Sequence, residues 1–134
     1  MKPLIHVTNW SSRKLHRGNV YNIMAKPRHW EHGSGNVVAL TPSASLLDMV
    51  RAGQCEIEQY KTALTWAWAM TADDLQPGAL YAIGKTGNWT VAPGDTLCCA
   101  CSKAEALLGR CHRVWAAEAL KKAGWDVVLD GVPQ

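Results

Sequence analysis

The stretch DTLCCACSKAEALLGRCHRVWAAEALKKAGWDVVLD, Asp95 to Asp130, decides how this chain folds. Asp95 to Cys101, small and apolar from Leu97 onward, predicts a strand. A short helical stretch around Ala104 to Leu108 follows, ended by Gly109. His112 to Ala123 then puts Val114, Trp115, Ala119 and Leu120 on the inner side of a helix, with Lys121 and Lys122 near its end and Gly124 as its stop. Asp126 to Asp130 reads as another strand. Strand, helix, strand over this length predicts a parallel β-α-β unit with a right-handed crossover. The fold class expected is therefore α/β: a single domain over residues 1–134, built on a small, mostly parallel sheet flanked by helices and Rossmann-like.

Upstream elements fit that frame. Leu4 to Thr8 predicts a first strand and Asn9 to Gly18 a polar, basic loop after it. Val20 to Ala25 predicts a second strand, stopped by Pro27. His29 to Asn36 reads as a surface loop. Thr41-Pro42 is a helix start, with Thr as cap and Pro in the first helical position, and Gly53 ends that helix. A second helix, Glu56 to Met70, aligns Ile57, Tyr60, Ala63, Leu64, Ala67 and Trp68, which predicts core packing for Trp66 and Trp68 rather than stacking on a ligand. Pro77-Gly78 breaks the chain before an apolar run, Ala79 to Ile83. The stretch Gly84-Lys85-Thr86-Gly87-Asn88 lacks the first glycine of a phosphate loop and no helix pattern follows it, so it reads as a turn.

Composition narrows the class of function. With 48% apolar and 19% charged residues the chain is expected to be globular, and 134 residues can build a core without disulfide or metal. MKPLIHVTNW is not a signal peptide, and no window approaches the ~20 apolar residues of a membrane span, so no membrane partner and a cytoplasmic location are expected. In a reducing compartment the five cysteines serve as thiols, metal ligands or catalytic groups. Charge is uneven. Residues 1–30 hold Lys2, Arg13, Lys14, Arg17, Lys26 and Arg28 with no Asp or Glu, so of a net +3 the rest of the chain carries −3. His16 and His29 extend this basic segment. It favours a phosphate-bearing partner, whether DNA, RNA or a nucleotide, although a plain solvated face has the same composition.

Parallel sheets place functional groups beyond the carboxyl ends of their strands. Cys99 and Cys101 share a strand face by alternation, and Cys98 takes the other. Arg110, Cys111, His112 and Arg113 open the following helix, where the dipole and the arginines favour a thiolate at Cys111. His112 titrates near neutral pH and is a candidate acid or base, but adjacent helical residues diverge, so Cys111 and His112 each need partners from other loops. Cys98 reads as a packed strand residue. Zinc on Cys99, Cys101, Cys111 and His112 is the less favoured alternative, because the usual two-residue gap between paired ligands is missing.

On these residues the chain resembles the family called domain of unknown function 488, whose members show an apolar strand ending in C-A-E, a loop, C-H-R opening a helix, and a strand. Cys99-Ala100 and Cys111-His112-Arg113 match that pattern. Here Cys101 stands where the family has its acidic residue, and the intervening loop is longer. VTNWSSRK, at Val7 to Lys14, is similar to the family's first strand and small-residue loop, and the resemblance carries Ser12 and Arg13 over. Ala25-Lys26-Pro27-Arg28 loosely resembles its Arg- and Pro-containing segment. The family's loose association with DNA repair implies a nucleic-acid-related substrate.

Three functions follow as expectations. In the first, an enzyme acts on a nucleotide or nucleic acid: Cys99 or Cys111 is the nucleophile, His112 serves as acid or base, Ser12, Arg13, Arg28 and Arg113 hold phosphate, and Trp10 or Trp30 stacks on a base. In the second, the basic segment binds nucleic acid or another partner without chemistry. In the third, the cysteine cluster is a structural metal site.

Overall fold

The computed structural model describes residues 2–24, 35–42, 44–84, 87–100 and 111–134. Seven strands occur there: β1 (Leu4–Asn9), β2 (Val20–Asn22), β3 (Tyr81–Gly84), β4 (Gly87–Thr90), β5 (Thr96–Cys99), β6 (Asp126–Leu129) and β7 (Val132–Pro133). The helices are α1 (Ala44–Arg51), α2 (Ile57–Met70) and α3 (His112–Lys122), with short 3-10 turns between elements. No helix among the described residues is long and apolar enough to cross a membrane.

β1 organises the molecule. Its sequence, LIHVTN, alternates: Ile5 and Val7 are fully buried in the apolar core, and His6 and Thr8 take the opposite face. β1 pairs in parallel with β5 on one side and β6 on the other, β2 extends β5 in parallel, and β7 adds an antiparallel edge, in the order β2-β5-β1-β6-β7. The expected mostly parallel α/β sheet is present. β5 and β6 run parallel with β1 between them.

One face of the sheet carries the core. Ile5, Val7, Leu97 and Val127 share it with Tyr60, Leu64 and Trp68 of α2 and with Trp115, Ala116 and Leu120 of α3. Tyr60 and Trp115 meet edge to face at 5.7 Å. The other face shows His6 and Thr8 beside Thr96 and Cys98. Among the described residues it is covered by the chain descending from β1 to β2. There the Arg17 N–H donates to Thr96 Oγ1 (2.8 Å), the Thr96 hydroxyl donates back to the Arg17 carbonyl (2.6 Å), and the Asn19 N–H donates to Asp95 Oδ1 (3.0 Å). Gly18 allows the close approach: its φ is +59°, and a Cβ would lie 2.5 Å from Asp95 Oδ1. A strand buried by helices on both sides reads as a continuous apolar run. The His6–Thr8 alternation fits a sheet with its apolar layer on one side.

Several local expectations are corrected. Thr41 does not cap α1: its hydroxyl donates to the Val37 carbonyl at 2.9 Å, and the helix begins at Ala44. Glu56 caps α2 in a capping box with Gln59. Trp68 is buried, but Trp66, two residues earlier and hence on another side of the helix, is 66% exposed. β2 ends at Asn22, and β5 begins at Thr96 because Asp95 is taken by turn hydrogen bonds from the Ala92 and Asn19 N–H groups. β3 and β4 form an antiparallel hairpin pairing Gly84 with Gly87, so β4 is an unanticipated strand, as is β7. The helical stretch expected at 104–108 lies outside the described residues.

Candidate functional site

The carboxyl ends of β1, β5 and β6 meet beneath the first turn of α3. Cys99 ends β5, and Cys111 is the N-cap residue of α3. Their sulfurs stand 3.2 Å apart, both fully buried. Arg113, the second residue of α3, donates from Nη1 to Cys99 Sγ (3.3 Å) and Cys111 Sγ (3.4 Å). Its Nη2 and Nε reach Asp130 Oδ2 at 3.1 and 3.4 Å. Asp130 follows β6 with φ +49°, uncommon for a residue with a Cβ, and its other oxygen accepts from the Thr8 hydroxyl at 3.0 Å. Three strand ends are thus joined through one guanidinium and one carboxylate.

Electrostatics follow from that arrangement. Burial pulls the Arg113 pKa down, but the Cys99 sulfur with its hydrogen bond, then Cys111 and Asp130, hold it above its ordinary value. The guanidinium therefore stays charged, and the acceptors it favours are anionic. Nη1 of that cation thus faces both sulfurs at once, an electropositive setting of the kind that favours a thiolate. Cys98 differs: burial foremost, then the neighbouring Cys99, pushes its thiol well above the usual range. It lies on the opposite face, 3.4 Å from His16 Nε2.

His112 is buried, and its Nε2 donates to the Ile23 carbonyl at 2.7 Å. Burial is the chief cause of its lowered pKa, so the imidazole is held neutral and ties α3 to the chain leaving β2. This sets a pH dependence. Because the folded pKa lies below the ordinary 6.5, stability is full above 6.5 and falls as acid protonates the unfolded chain first. His6, lowered by burial and then by Arg17, acts in the same sense. In urea unfolding followed from pH 7.5 down to about 5, a window set by the ordinary histidine value, His112→Gln is expected to lose less stability than the parent chain. An unchanged slope would remove this role.

The remaining expected residues sit on the connection after β1. Asn9 Oδ1 accepts from the Ser12 N–H (2.8 Å), which fixes the turn, and His16 Nε2 lies 3.0 Å from the Asn9 carbonyl. Trp10 is half-buried: its Nε1 donates to Asn22 Oδ1 (3.2 Å), and its ring meets His16 edge-on at 6.0 Å. Its backbone N–H donates to the Cys99 carbonyl at 2.9 Å, so this loop and the sulfur pair share one edge of the sheet. Arg13 and Lys14 are exposed on a 3-10 turn, and Arg17 is exposed with Nη1 donating to the Lys14 and His16 carbonyls. The structure brings together Trp10, Cys99, Cys111, His112 and Arg113 along this edge, with Ser12 and Arg13 on the loop above. Arg28, Trp30, Cys101 and Arg110 lie outside the described residues.

Asp130 was missed, although an acid directly after a parallel strand, at the carboxyl edge, was a readable signal. The zinc alternative fits the geometry poorly. Two thiolates on tetrahedral zinc at ~2.3 Å stand roughly 3.8 Å apart, and here the sulfurs are at 3.2 Å with a guanidinium donating to both. His112 Nε2 is engaged with Ile23, and among the described residues no three potential ligands gather. An apolar groove of about 340 Å³, lined by Leu46, Leu64, Trp68 and neighbours, includes none of these residues. No protein-family model, curated protein or solved structure matches this chain.

Proposed function

We propose that this chain binds a phosphate-bearing ligand of the nucleic-acid or nucleotide class through the basic connection Trp10–Arg17. The observation that carries the reading is the exposure of Arg13, Lys14 and Arg17 on a backbone pinned to the sheet. These cations belong to a segment with no acid in its first thirty residues. Rigid presentation lowers the ordering cost of binding, and Trp10 offers a ring for a base beside the cations. A Rossmann-like placement of ligand beyond the parallel strands, a cytoplasmic setting and kinship with domain of unknown function 488 belong to the same reading.

Binding of a labelled single-stranded oligonucleotide, measured by anisotropy across salt concentrations, tests it. Affinity is expected to fall steeply with salt. Arg13→Glu/Lys14→Glu should weaken it about tenfold or more and flatten the slope of log affinity against log salt by roughly 0.7 per lost phosphate contact. Binding of DNA, RNA and nucleotides that is absent or independent of salt ends the proposal.

A second reading makes the protein an enzyme with Cys99 or Cys111 as nucleophile. It rests on the guanidinium that both sulfurs share, which favours a thiolate. Complete burial of Cys99, Cys111 and Arg113 places it second, because a substrate would need the edge to open. It requires iodoacetamide to label one of these thiols ahead of the more accessible Cys55, and ligand to slow that labelling.

A further inference from the structure

We propose that Cys99 and Cys111 form a reversible dithiol–disulfide couple, oxidised by a hydroperoxide and returned by a dithiol. The sulfurs come from different elements, the end of β5 and the N-cap of α3, so the bond would link sheet to helix. At 3.2 Å the pair is already in contact, and a bond needs them to close to about 2.05 Å. Rotations at two side chains, rather than a rearranged fold, provide that.

Arg113 supplies the second ingredient. A disulfide starts from a thiolate, and the guanidinium donates to both sulfurs, so the anion is stabilised on whichever sulfur holds the charge. Asp130 fixes the guanidinium in that position from its other side. The other described thiols lack this arrangement: Cys98 lies across the sheet beside His16, and Cys55 is in the loop before α2.

The chemistry balances in two steps. One thiolate attacks an oxygen of the hydroperoxide, the O–O bond breaks, and the leaving alkoxide or hydroxide takes up a proton, giving a sulfenic acid. The second sulfur then attacks the first, the S–O bond breaks, and hydroxide leaves as water with the proton of the second thiol. Two thiols lose two electrons and two protons, and the peroxide is reduced to an alcohol, or water, plus water. A dithiol reverses the bond by two exchange steps and becomes a disulfide itself. Because both sulfurs are buried, the pair should react through transient opening, more slowly than a small free dithiol.

The test uses the full chain. Native protein is treated with hydrogen peroxide, quenched with catalase, unfolded in iodoacetamide, and analysed by intact mass and peptide mapping. The expected product has a Cys99–Cys111 cross-link, a mass lower by two hydrogens before alkylation, the other three cysteines (Cys55, Cys98 and Cys101) alkylated, and full recovery of thiols with dithiothreitol. Cys99→Ser and Cys111→Ser should each abolish the link. Mapping of the parent chain decides the matter even where a variant fails to fold. A cross-link from either cysteine to a different partner, oxidation that stops at sulfinic acid, or retention of both thiols after exposure that oxidises Cys55 would each overturn the proposal. None of these outcomes depends on ligand binding, so the couple and the proposed function can fail separately.

Discussion

Asp130→Ala is expected to destabilise the fold by about 3–5 kcal/mol, and Arg113→Met by distinctly less, although each removes half of the same ion pair. The asymmetry comes from where the two charges sit. The Arg113 side chain is 0% exposed and that of Asp130 is 21% exposed. Without the carboxylate, a guanidinium remains in the interior beside the two sulfurs, weaker acceptors than a carboxylate oxygen. Without the guanidinium, Asp130 still has the Thr8 hydroxyl at 3.0 Å and contact with water, and methionine fills much of the space of the arginine stem. That loss should be nearer 1–2 kcal/mol. Asp130 also holds φ +49°, which alanine adopts poorly. Asp130→Asn, tolerant of that conformation, separates charge from strain and should keep a loss of at least about 2 kcal/mol. In the double variant Asp130→Asn/Arg113→Met the buried cation is gone and the backbone strain is avoided, so its stability should fall close to that of Arg113→Met. Urea midpoints at constant slope measure all four variants. An Asp130→Ala loss below about 1 kcal/mol would mean that the pair behaves as an exposed one.

That ion pair also shows where sequence reasoning reached its limit. The C-H-R element at the start of α3 was legible because three chemically distinctive residues fall at a helix N-terminus directly after a loop. What each side chain does there was not. The sequence pattern offers Arg113 to a ligand phosphate, and the structure gives it Asp130 and two sulfurs, a choice made by β6 lying beside β1. Such pairing is non-local, with Thr8 and Asp130 separated by 122 residues, and no window of sequence contains it. Local periodicity served well where one element's own pattern suffices. β1, α2, α3 and β6 fall within about two residues of their expected bounds, the usual scatter of element ends. It failed for β4, whose GNWT has no buried face, and for β7, two residues long and paired to β6 through a tight turn. The order of strands lay beyond it too, since placing β1 between β5 and β6 is decided by packing.

Removing the Trp125 side chain should cost about as much as breaking the ion pair. Trp125→Ala is expected to lose about 3–5 kcal/mol, because this ring is among the largest fully buried side chains of the core. It holds the far end of α3. Gly124, at φ +111°, ends that helix, the Trp125 N–H donates to the Leu120 carbonyl at 3.1 Å, and the indole Nε1 donates to the Leu75 carbonyl at 2.7 Å. The indole thereby fastens the turn before β6 to the 3-10 segment that follows α2. Trp125→Phe separates the two contributions. It keeps much of the apolar ring and leaves the buried Leu75 carbonyl without its donor, an expected loss of about 1–3 kcal/mol. The cavity then accounts for the rest of the alanine loss. The same anchor bears on the carboxyl edge. β6 begins immediately after Trp125, and Asp130 at its end sits where it does because Leu4↔Asp126 through Val7↔Leu129 hold register with β1. Loosening Trp125 should therefore speed hydrogen exchange at the Asp126 and Asp130 amides, which donate to the Pro3 and Val7 carbonyls, before global unfolding. If Trp125→Phe proved as damaging as Trp125→Ala, the hydrogen bond to Leu75 rather than core volume would be what secures β6.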